Sequence, residues 1–448
     1  MSYIESVIQN KINAIESGEN VYELGRVRKV QTYMLEISGL ESASYFDRVL
    51  IEHPGLGQVG EGYVDRINRD SVVVALTSQV GHIMVGDRAV GTGKEFTMQF
   101  SPSSFGHVVD MFGRDLLAGE RFADLIEMPV ESPNIPIMDR GTVNRPLYTG
   151  ISGIDLIYPI GRGQRQLIIG DKKTGKTQIT LDAIANQREG KMLCIYVAIG
   201  KTKKEVKTIY ADLMRRGAMN YTIILAAFND QCPPVLRNTP YAALTIAQHF
   251  MLKEKRDVLV VIDDLKRHAD VCREIALLSG KVPGRDAYPP DIFYSHASML
   301  EQGCQHLNGG SITILPICET KSGDITDYIS TNIISITDGQ IVLSAKNFEK
   351  GIKPAINYGL SVSRLGGAVQ TKEMKKVGPP VRRELLSYLE QKEVFELANP
   401  DEMGEALRNR MRRGAEIVEM LKQRKFAVRS QETTLSLVAE LNAKEQKA

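Results

Sequence analysis

Residues 166–180 limit the folds open to this chain more narrowly than any other stretch. They contain the pattern G-x-x-x-x-G-K-[ST], which runs from Gly170 to Thr177. The apolar run 167–169 before the pattern predicts a buried strand, and apolar residues at helical spacing after it predict a helix. This order of strand, glycine loop and helix is the context in which the pattern forms a phosphate-binding loop. We therefore expect an α/β core at this point of the chain.

Each position of the pattern has a physical role in holding phosphate. The two glycines allow the backbone to turn so that its N–H groups face phosphate oxygens, and the new helix adds the positive end of its dipole. The Lys176 ammonium is expected to reach the β- and γ-phosphates of ATP, or the β-phosphate of ADP, and the Thr177 hydroxyl to bind Mg²⁺. The predicted nucleotide-binding residues of the loop are Gly170, Asp171, Lys172, Lys173, Thr174, Gly175, Lys176 and Thr177. A chance match in a glycine-containing turn is the alternative, and the flanking elements argue against it.

A second feature of such sites is an apolar strand that ends in an acid. Residues 258–262 are apolar and are followed by Asp263 and Asp264. At the carboxyl edge of a parallel sheet, such a carboxylate holds Mg²⁺ through water. We predict that Asp263, the first of the two, has this role.

Catalysis needs a further group that orients or deprotonates the attacking water. In many sheets of this kind it lies at the end of the strand that follows the loop helix, and here Lys201 holds that position. A protonated ammonium has no acceptor for a water proton and cannot act as a general base. The sequence therefore predicts a site that binds nucleotide without hydrolysing it.

Composition restricts the broad class of the protein. The 448 residues are 43% hydrophobic and 25% charged, with a formal net charge of +2, so charge alone implies no polyanionic partner. The five cysteines form no C-x-x-C pair, which favours free thiols in a reducing compartment. No stretch has the uninterrupted apolar length of a membrane span, so we expect any membrane role to be peripheral.

The hydrophobic pattern predicts a multidomain protein with four parts. They are an N-terminal helix at 1–20, a β-barrel at 21–93, a nucleotide-binding α/β domain at 94–372 and a helical domain at 373–448. Short strands with period two and no intervening helix indicate a closed barrel or a sandwich. The barrel region lacks the alternating aromatic and basic residues of a nucleic-acid-binding barrel, so no nucleic-acid partner is expected. The terminal helix fits a docking element or a lid equally well.

Beyond residue 166, strands and helices alternate, which predicts a parallel sheet with helices on both faces. The predicted strands are 192–198, 221–227, 257–262, 311–315 and 333–337, and the predicted helices are 203–216, 238–254, 267–279 and 291–303. Four amphipathic helices are predicted in the last domain, at 381–397, 401–414, 415–425 and 431–443. Gly414 is expected to kink or break the helical run there.

Several stretches resemble the alpha subunit of F-type ATP synthases over nearly the whole chain. They are residues 159–165, 167–171, 195–200, 283–288, 334–340 and 359–367. The resemblance implies a RecA-like phosphate-loop domain in an alternating hexamer of alpha and catalytic beta subunits around a central stalk. It also implies a cytoplasmic location peripheral to the membrane, with a peripheral stalk bound through the N-terminal helix.

The resemblance assigns roles to two further residues. Arg364 matches the arginine that an alpha subunit sends into the catalytic site of its neighbour. Gln423 matches one of two glutamines that line the base pocket. The resemblance thus implies that the complete complex is a proton-translocating ATP synthase or ATPase, in which this subunit is regulatory and non-catalytic.

The chain departs from the family pattern at four places that bear on nucleotide binding. Lys201 replaces a glutamine, Ser298 an arginine and Lys425 the second base-pocket glutamine, while Lys172 and Lys173 replace an Arg-Gln pair. These changes predict a diverged alpha-like subunit, whose complex either translocates protons or drives another machine.

Three alternatives share parts of this pattern. A homo-hexameric flagellar or type III export ATPase has a similar length but needs a glutamate at position 201. A ring-forming transcription terminator needs an RNA-binding barrel, which the sequence does not supply. A nucleotide-binding scaffold in which Arg364 is an ordinary solvated residue is the third. Co-purification with a Glu-bearing ATPase subunit separates the first from an alpha-type role.

Overall fold

The computed structural model describes residues 23–189, 192–395 and 404–445. The predicted helix at 1–20 lies outside these residues, so its role as dock or lid stays a prediction. Among the described helices, none combines the length and the apolar content that a bilayer span requires.

The first domain is a closed barrel of six strands, which confirms the barrel and excludes the sandwich. Its strand order is β1-β2-β5-β4-β3-β6, and every neighbouring pair is antiparallel. Closure leaves no free edge, and the apolar residues that alternate along each strand fill the interior. The strands are β1 Glu23–Gln31, β2 Met34–Ser38, β3 Asp47–His53, β4 Gly57–Ile67, β5 Val72–Gln79 and β6 Arg88–Glu95.

The barrel is joined to the next domain through a buried carboxylate. Asp65 of β4 accepts a hydrogen bond from Arg237 at 3.0 Å, and the Lys281 ammonium lies 3.5 Å from its other oxygen. Both cations belong to the central domain. An unpaired carboxylate at this depth would be costly, so the two cations fix how the barrel sits on that domain.

The central domain is built on a twisted sheet whose core strands are parallel. The order is β20-β19-β13-β18-β16-β14-β15-β8, in which β20 alone of this path runs antiparallel to its neighbour. The core strands are β8 Val108–Val109, β13 Leu167–Asp171, β14 Leu193–Lys201, β15 Thr222–Phe228, β16 Val258–Asp263, β18 Ser311–Thr320, β19 Gly339–Leu343 and β20 Val362–Ser363. Shorter strands are β7 Thr97–Phe100, β9 Ile126–Pro129, β10 Arg140–Gly141, β11 Pro146–Leu147, β12 Ile160–Gly161 and β17 Cys304–His306.

Helices cover both faces of this sheet, and the sheet lies between two apolar layers of the core. The α-helices are Ser152–Ile157, Lys176–Ala185, Lys203–Arg215, Pro233–Lys253, Leu265–Leu278, Ile292–Leu300, Tyr328–Ile336 and Ala345–Glu349. Single 3₁₀ turns occur at Pro102–Ser104, Ile137–Asp139, Asn186–Glu189, Ala218–Tyr221, Arg285–Ala287 and Gly366–Val369. The predicted α/β domain with a parallel sheet is therefore confirmed.

One predicted strand of this domain is wrong. Residues 333–337 lie at the end of the helix Tyr328–Ile336, and the strand begins at Gly339. Asp327 caps the helix by accepting a hydrogen bond from the Ser330 amide, and Ile329 and Ile333 are buried four residues apart on one face. The short apolar run suits either element, and the cap and the tertiary packing decide for the helix.

The last domain is helical, as predicted, but Gly414 does not interrupt it. Its helices are Lys372–Phe395, Glu405–Leu421 and Gln431–Glu445. Gly414 lies inside the second of them, and a Cβ there would come within 2.1 Å of the Tyr388 ring on the first. The glycine therefore allows the two helices to cross closely, and it does not break the second helix. A sequence pattern does not distinguish these two uses of glycine.

Candidate functional site

The phosphate loop joins β13 to the helix Lys176–Ala185 at the carboxyl edge of the sheet. Gly175 has φ +98° and Lys173 has φ +63°, so the loop turns through the left-handed region at both positions. A Cβ at Gly170 would lie 2.7 Å from the Leu343 carbonyl of the adjacent strand β19. Position 170 therefore needs glycine for packing, and position 175 needs it for its backbone angle.

Two side chains of the loop fold back on its own backbone. The Lys176 ammonium donates to the Asp171 carbonyl at 2.5 Å, and the Thr174 hydroxyl donates to the same oxygen at 2.8 Å. Burial lowers the pKa of Lys176, and the nearby carboxylates of Glu319 and Asp264 oppose that shift. The ammonium is held over the loop, where an incoming phosphate can replace the carbonyl as its acceptor.

The carboxylate of Asp171 anchors the loop to the next strand. It accepts hydrogen bonds from the Thr320 hydroxyl at 2.7 Å and the Gly323 amide at 2.8 Å. Lys172 is exposed, with its ammonium 3.5 Å from the Glu319 carboxylate. Asp171 thus fixes the shape of the loop, while Lys172 lies at its outer rim.

The geometry brings Asp263, at the end of β16, to the start of the loop helix. The Thr177 hydroxyl donates to Asp263 Oδ2 at 2.9 Å, and the Tyr196 hydroxyl donates to the same oxygen. Asp264 instead caps the next helix through the Arg267 amide at 2.6 Å. Burial, followed by the charge of Asp263, raises the pKa of Asp264 to about 6. Two oxygen ligands of the kind Mg²⁺ prefers therefore lie side by side at Thr177 and Asp263.

Lys201 is directed at the same carboxylate. Its ammonium lies 2.9 Å from Asp263 Oδ1, and the Lys201 side chain is only 19% exposed. Burial is the largest single influence and disfavours the ammonium, but the charge and hydrogen bond of Asp263, together with the charges of Asp264 and Glu205, outweigh it, and the pKa of Lys201 is raised. The position at which a catalytic site needs a proton acceptor therefore holds a charged donor.

A cavity of about 930 Å³ opens above the loop, a volume that suits a nucleotide. The phosphate loop, Asp263 and Lys201 line it, together with residues 353–355 and 423–425. Phe348, Pro354 and Ala355 add apolar surface to the lining. The cavity therefore combines basic groups, which suit phosphates, with apolar surface, which suits a base.

Gln423 also lines this cavity, but its side-chain amide is already hydrogen-bonded within the chain. Its Nε2 donates to the carbonyls of Gly150 at 2.6 Å and Ala427 at 2.7 Å, and its Oε1 accepts from the Ser152 amide at 3.2 Å. These contacts tie the helical domain to residues 150–152 of the central domain. A base contact by Gln423 stays a prediction.

Asp182 holds the neighbouring part of the helical domain in place. Its carboxylate accepts a hydrogen bond from the Phe426 amide at 2.8 Å and another from Gln178 Nε2 at 2.8 Å. Burial raises the pKa of Asp182 to about 6. The segment that follows Lys425 is therefore held against the loop helix, and both the loop helix and residues 423–425 contribute side chains to the cavity lining.

The Arg364 loop, residues 357–367, lies at the opposite edge of the sheet, beside β20. The Arg364 amide donates to the Asp338 carbonyl at 3.0 Å, while the Asp338 carboxylate binds Arg165 at 2.7 and 3.0 Å. The Arg364 side chain is exposed and makes no hydrogen bond or ion pair within the described residues. It does not line the cavity above the phosphate loop.

Comparison with known proteins bears on what this arrangement does. The family described as "ATP synthase alpha/beta family, nucleotide-binding domain" matches residues 150–363. The "ATP synthase subunit alpha" of Syntrophomonas wolfei is 40% identical over 445 residues, which cover 98% of this chain and 87% of that protein. The protein of the same name from Macrococcus caseolyticus is 40% identical over 94% of this chain and 82% of its own length. The chain belongs to the ATP synthase alpha-subunit family. A further relative, "ATP synthase subunit alpha, sodium ion specific" from Acetobacterium woodii, is 38% identical over 423 residues.

Membership of this family confirms the resemblance drawn from the motifs and gives the chain a nucleotide-binding domain. It does not favour the flagellar or export ATPase. The departures at the site now have places in the structure. Lys201 and Lys425 line the cavity, whereas the Ser298 hydroxyl donates to the Ser295 carbonyl at 3.2 Å and does not line the cavity.

Two contacts at the site were not anticipated from the sequence. The first is the hydrogen bond from Tyr196 to Asp263, and the second is the ion pair between Lys201 and Asp263. Strands β14 and β16 pair with Ala198 opposite Asp263, and Tyr196 shares a face with Ala198. A correct strand register would have revealed the tyrosine, because residues two apart point to the same side of a sheet.

Proposed function

We propose that this chain is the alpha-type subunit of a rotary F-type ATP synthase, and that it binds ATP or ADP at its own phosphate loop without hydrolysing it. In this role Lys176 and the backbone of residues 170–177 hold the phosphates. Thr177 and Asp263 are the proposed Mg²⁺ ligands, the latter through water, and the bound metal would supply charge neutralisation to the phosphates.

The observation that carries the proposal is the ion pair of Lys201 with Asp263. A catalytic subunit needs an acceptor beside the γ-phosphate, and the ammonium at this position donates instead. Besides the three aspartates at positions 182, 263 and 264, two glutamates line the cavity. Glu205 is bound in a capping box with Thr202, and Glu319 lies beside Lys172. Neither is at the end of the strand that follows the loop helix.

Arg364 is proposed to act outside its own subunit. Its guanidinium is exposed at the sheet edge and is not satisfied by any described residue of the chain. A planar, permanently charged fork of this kind suits the γ-phosphate of a nucleotide held by a neighbouring beta-type subunit. Phosphoryl transfer spreads negative charge over equatorial oxygens, which an arginine supplied in trans stabilises.

The proposed partners follow from the same role. They are beta-type catalytic subunits in an alternating hexamer, a central stalk, and a peripheral stalk bound through residues 1–20, with the assembly on the cytoplasmic side of a membrane. Proton transport is the proposed activity of the complex. The Acetobacterium woodii relative carries the words "sodium ion specific" in its name. Transport assays with the assembled complex should therefore compare protons with sodium ions.

The test is steady-state phosphate release from the purified chain, alone and after assembly with a Glu-bearing beta-type subunit that co-purifies with it. We expect turnover by the ring and negligible turnover by the chain alone, because Lys201 cannot accept a proton. Turnover of about 1–100 s⁻¹ by the isolated chain, the range of nucleotide-hydrolysing and kinase enzymes, would contradict the proposal. In that event Glu319→Gln and Glu205→Gln would show which carboxylate serves as the base.

A further inference from the structure

Both oxygens of the carboxylate proposed to hold Mg²⁺ are already engaged by the protein. Asp263 Oδ1 faces the Lys201 ammonium at 2.9 Å, and Oδ2 accepts from the hydroxyls of Thr177, at 2.9 Å, and Tyr196. Mg²⁺ is a hard cation that demands oxygen ligands in near-octahedral geometry and gives up its water reluctantly. A carboxylate whose charge is balanced by an ammonium attracts that cation less than a free one.

The ion pair is built into the interior of the domain. Asp263 is 2% exposed, and the Lys201 side chain has little access to solvent. A buried pair of this kind resists separation, since removing either partner leaves an uncompensated charge. The Asp263 charge is therefore matched before any ligand arrives.

The cavity as a whole also carries excess positive charge. Seven basic and five acidic side chains line it. The basic residues are Lys172, Lys173, Lys176, Lys201, Lys353, Arg424 and Lys425, and the acidic residues are Asp182, Glu205, Asp263, Asp264 and Glu319. A polyanionic triphosphate thus meets protein cations where a metal ion would otherwise supply the balancing charge.

We propose that Lys201 takes over the charge-balancing role of Mg²⁺ in this subunit, so that the site binds nucleoside triphosphate with little dependence on the metal. The inference rests on the proposed nucleotide site, and it adds that this site binds free ATP as well as MgATP.

The experiment is calorimetric titration of the full chain with ATP, once in EDTA and once in excess Mg²⁺. We expect the two dissociation constants of the wild-type chain to agree within about threefold, which corresponds to less than 1 kcal/mol. In Lys201→Gln, Asp263 loses its counter-charge, and ATP should bind at least about tenfold more tightly with Mg²⁺ than without it.

Two further variants control for charge and folding. Lys203→Gln removes a lysine two residues away whose side chain is 65% exposed and paired with Asp230, so it should behave as wild type. Lys201→Arg keeps the cation and should retain the weak metal dependence. Thermal melting of each variant verifies that it is folded.

The outcomes separate this inference from the proposed function. If the wild-type chain binds ATP more than about threefold more weakly in EDTA, the inference is overturned while the nucleotide site stands. If Lys201→Gln, folded and binding, shows the same small metal dependence as wild type, Lys201 is not the cause and the inference is likewise overturned. If ATP binds in neither condition, the nucleotide site itself is absent and both proposals fall.

Discussion

The phosphate loop and the Arg364 loop belong to the same α/β domain. They differ in how far their key side chains are hydrogen-bonded to other residues of the chain. Around the phosphate loop, Lys176, Thr177 and Asp171 are all hydrogen-bonded to residues of the same domain. In the Arg364 loop, Arg364 itself is held only by its backbone amide, which donates to the Asp338 carbonyl, and its guanidinium is exposed. One site is complete within a single chain, and the other has a functional group without its counterpart.

Under the proposed function, this difference lets one fold hold a nucleotide and still leave chemistry to a neighbour. Binding needs only groups that the chain brings together by its own folding. Transition-state stabilisation in trans needs a charged group presented on the surface, which folding of the chain alone cannot use. Substitutions in the two loops should therefore affect different measurements.

The largest effect is expected from Arg364→Lys, measured as steady-state ATP hydrolysis by rings assembled with a wild-type beta-type partner. Turnover should fall by about 10²-fold or more, because an arginine supplied in trans is worth about 10³–10⁵ and lysine lacks its planar fork. Nucleotide binding by the isolated variant should match wild type. Arg383→Lys, the same change at an exposed helix residue, serves as the control. Full turnover by a correctly assembled Arg364→Lys ring would remove this residue from the mechanism.

An intermediate effect is expected from Lys176→Ala, measured by calorimetry of the isolated chain with ATP. The affinity of this variant for ATP should fall by about 10- to 100-fold, because it loses a charge-assisted hydrogen bond worth roughly 1.5–3 kcal/mol. Lys172→Ala, at the exposed rim of the loop, should cost much less. Equal binding by wild type and Lys176→Ala would mean that the loop does not hold phosphate and would remove the contrast between the two loops.

The smallest effect is expected from Gln423→Ala. Its amide is already hydrogen-bonded to Gly150 and Ala427, so the affinity for ATP should change by no more than about fivefold, close to 1 kcal/mol. The loss should appear instead as a lower melting temperature, because the helical domain loses a tie to the central domain. Gln58→Ala, at an exposed position in the barrel, is the matched control. A loss of affinity above tenfold would show that Gln423 contacts the base directly.

The elements that were predicted well are those with a local physical signature. The strand and helix around residues 166–180 follow from periodicity and glycine placement, and the barrel follows from short strands with period two. The two errors, the strand at 333–337 and the break at Gly414, arose where a local pattern permits two structures. Capping by Asp327 decided the first, and the crossing against Tyr388 decided the second.

The sequence by itself determined the phosphate loop, the order of domains and the identity of the residue at position 201, because these depend on residues that are neighbours in the chain. Only the tertiary structure decided what Lys201 does there. Its partner Asp263 comes from a different strand, and the 2.9 Å contact depends on the register of β14 against β16. Likewise the sequence contained Arg364, but its exposure depends on how β20 closes the edge of the sheet. Charge pairing is set by distances in space, and sequence spacing does not encode those distances across a sheet.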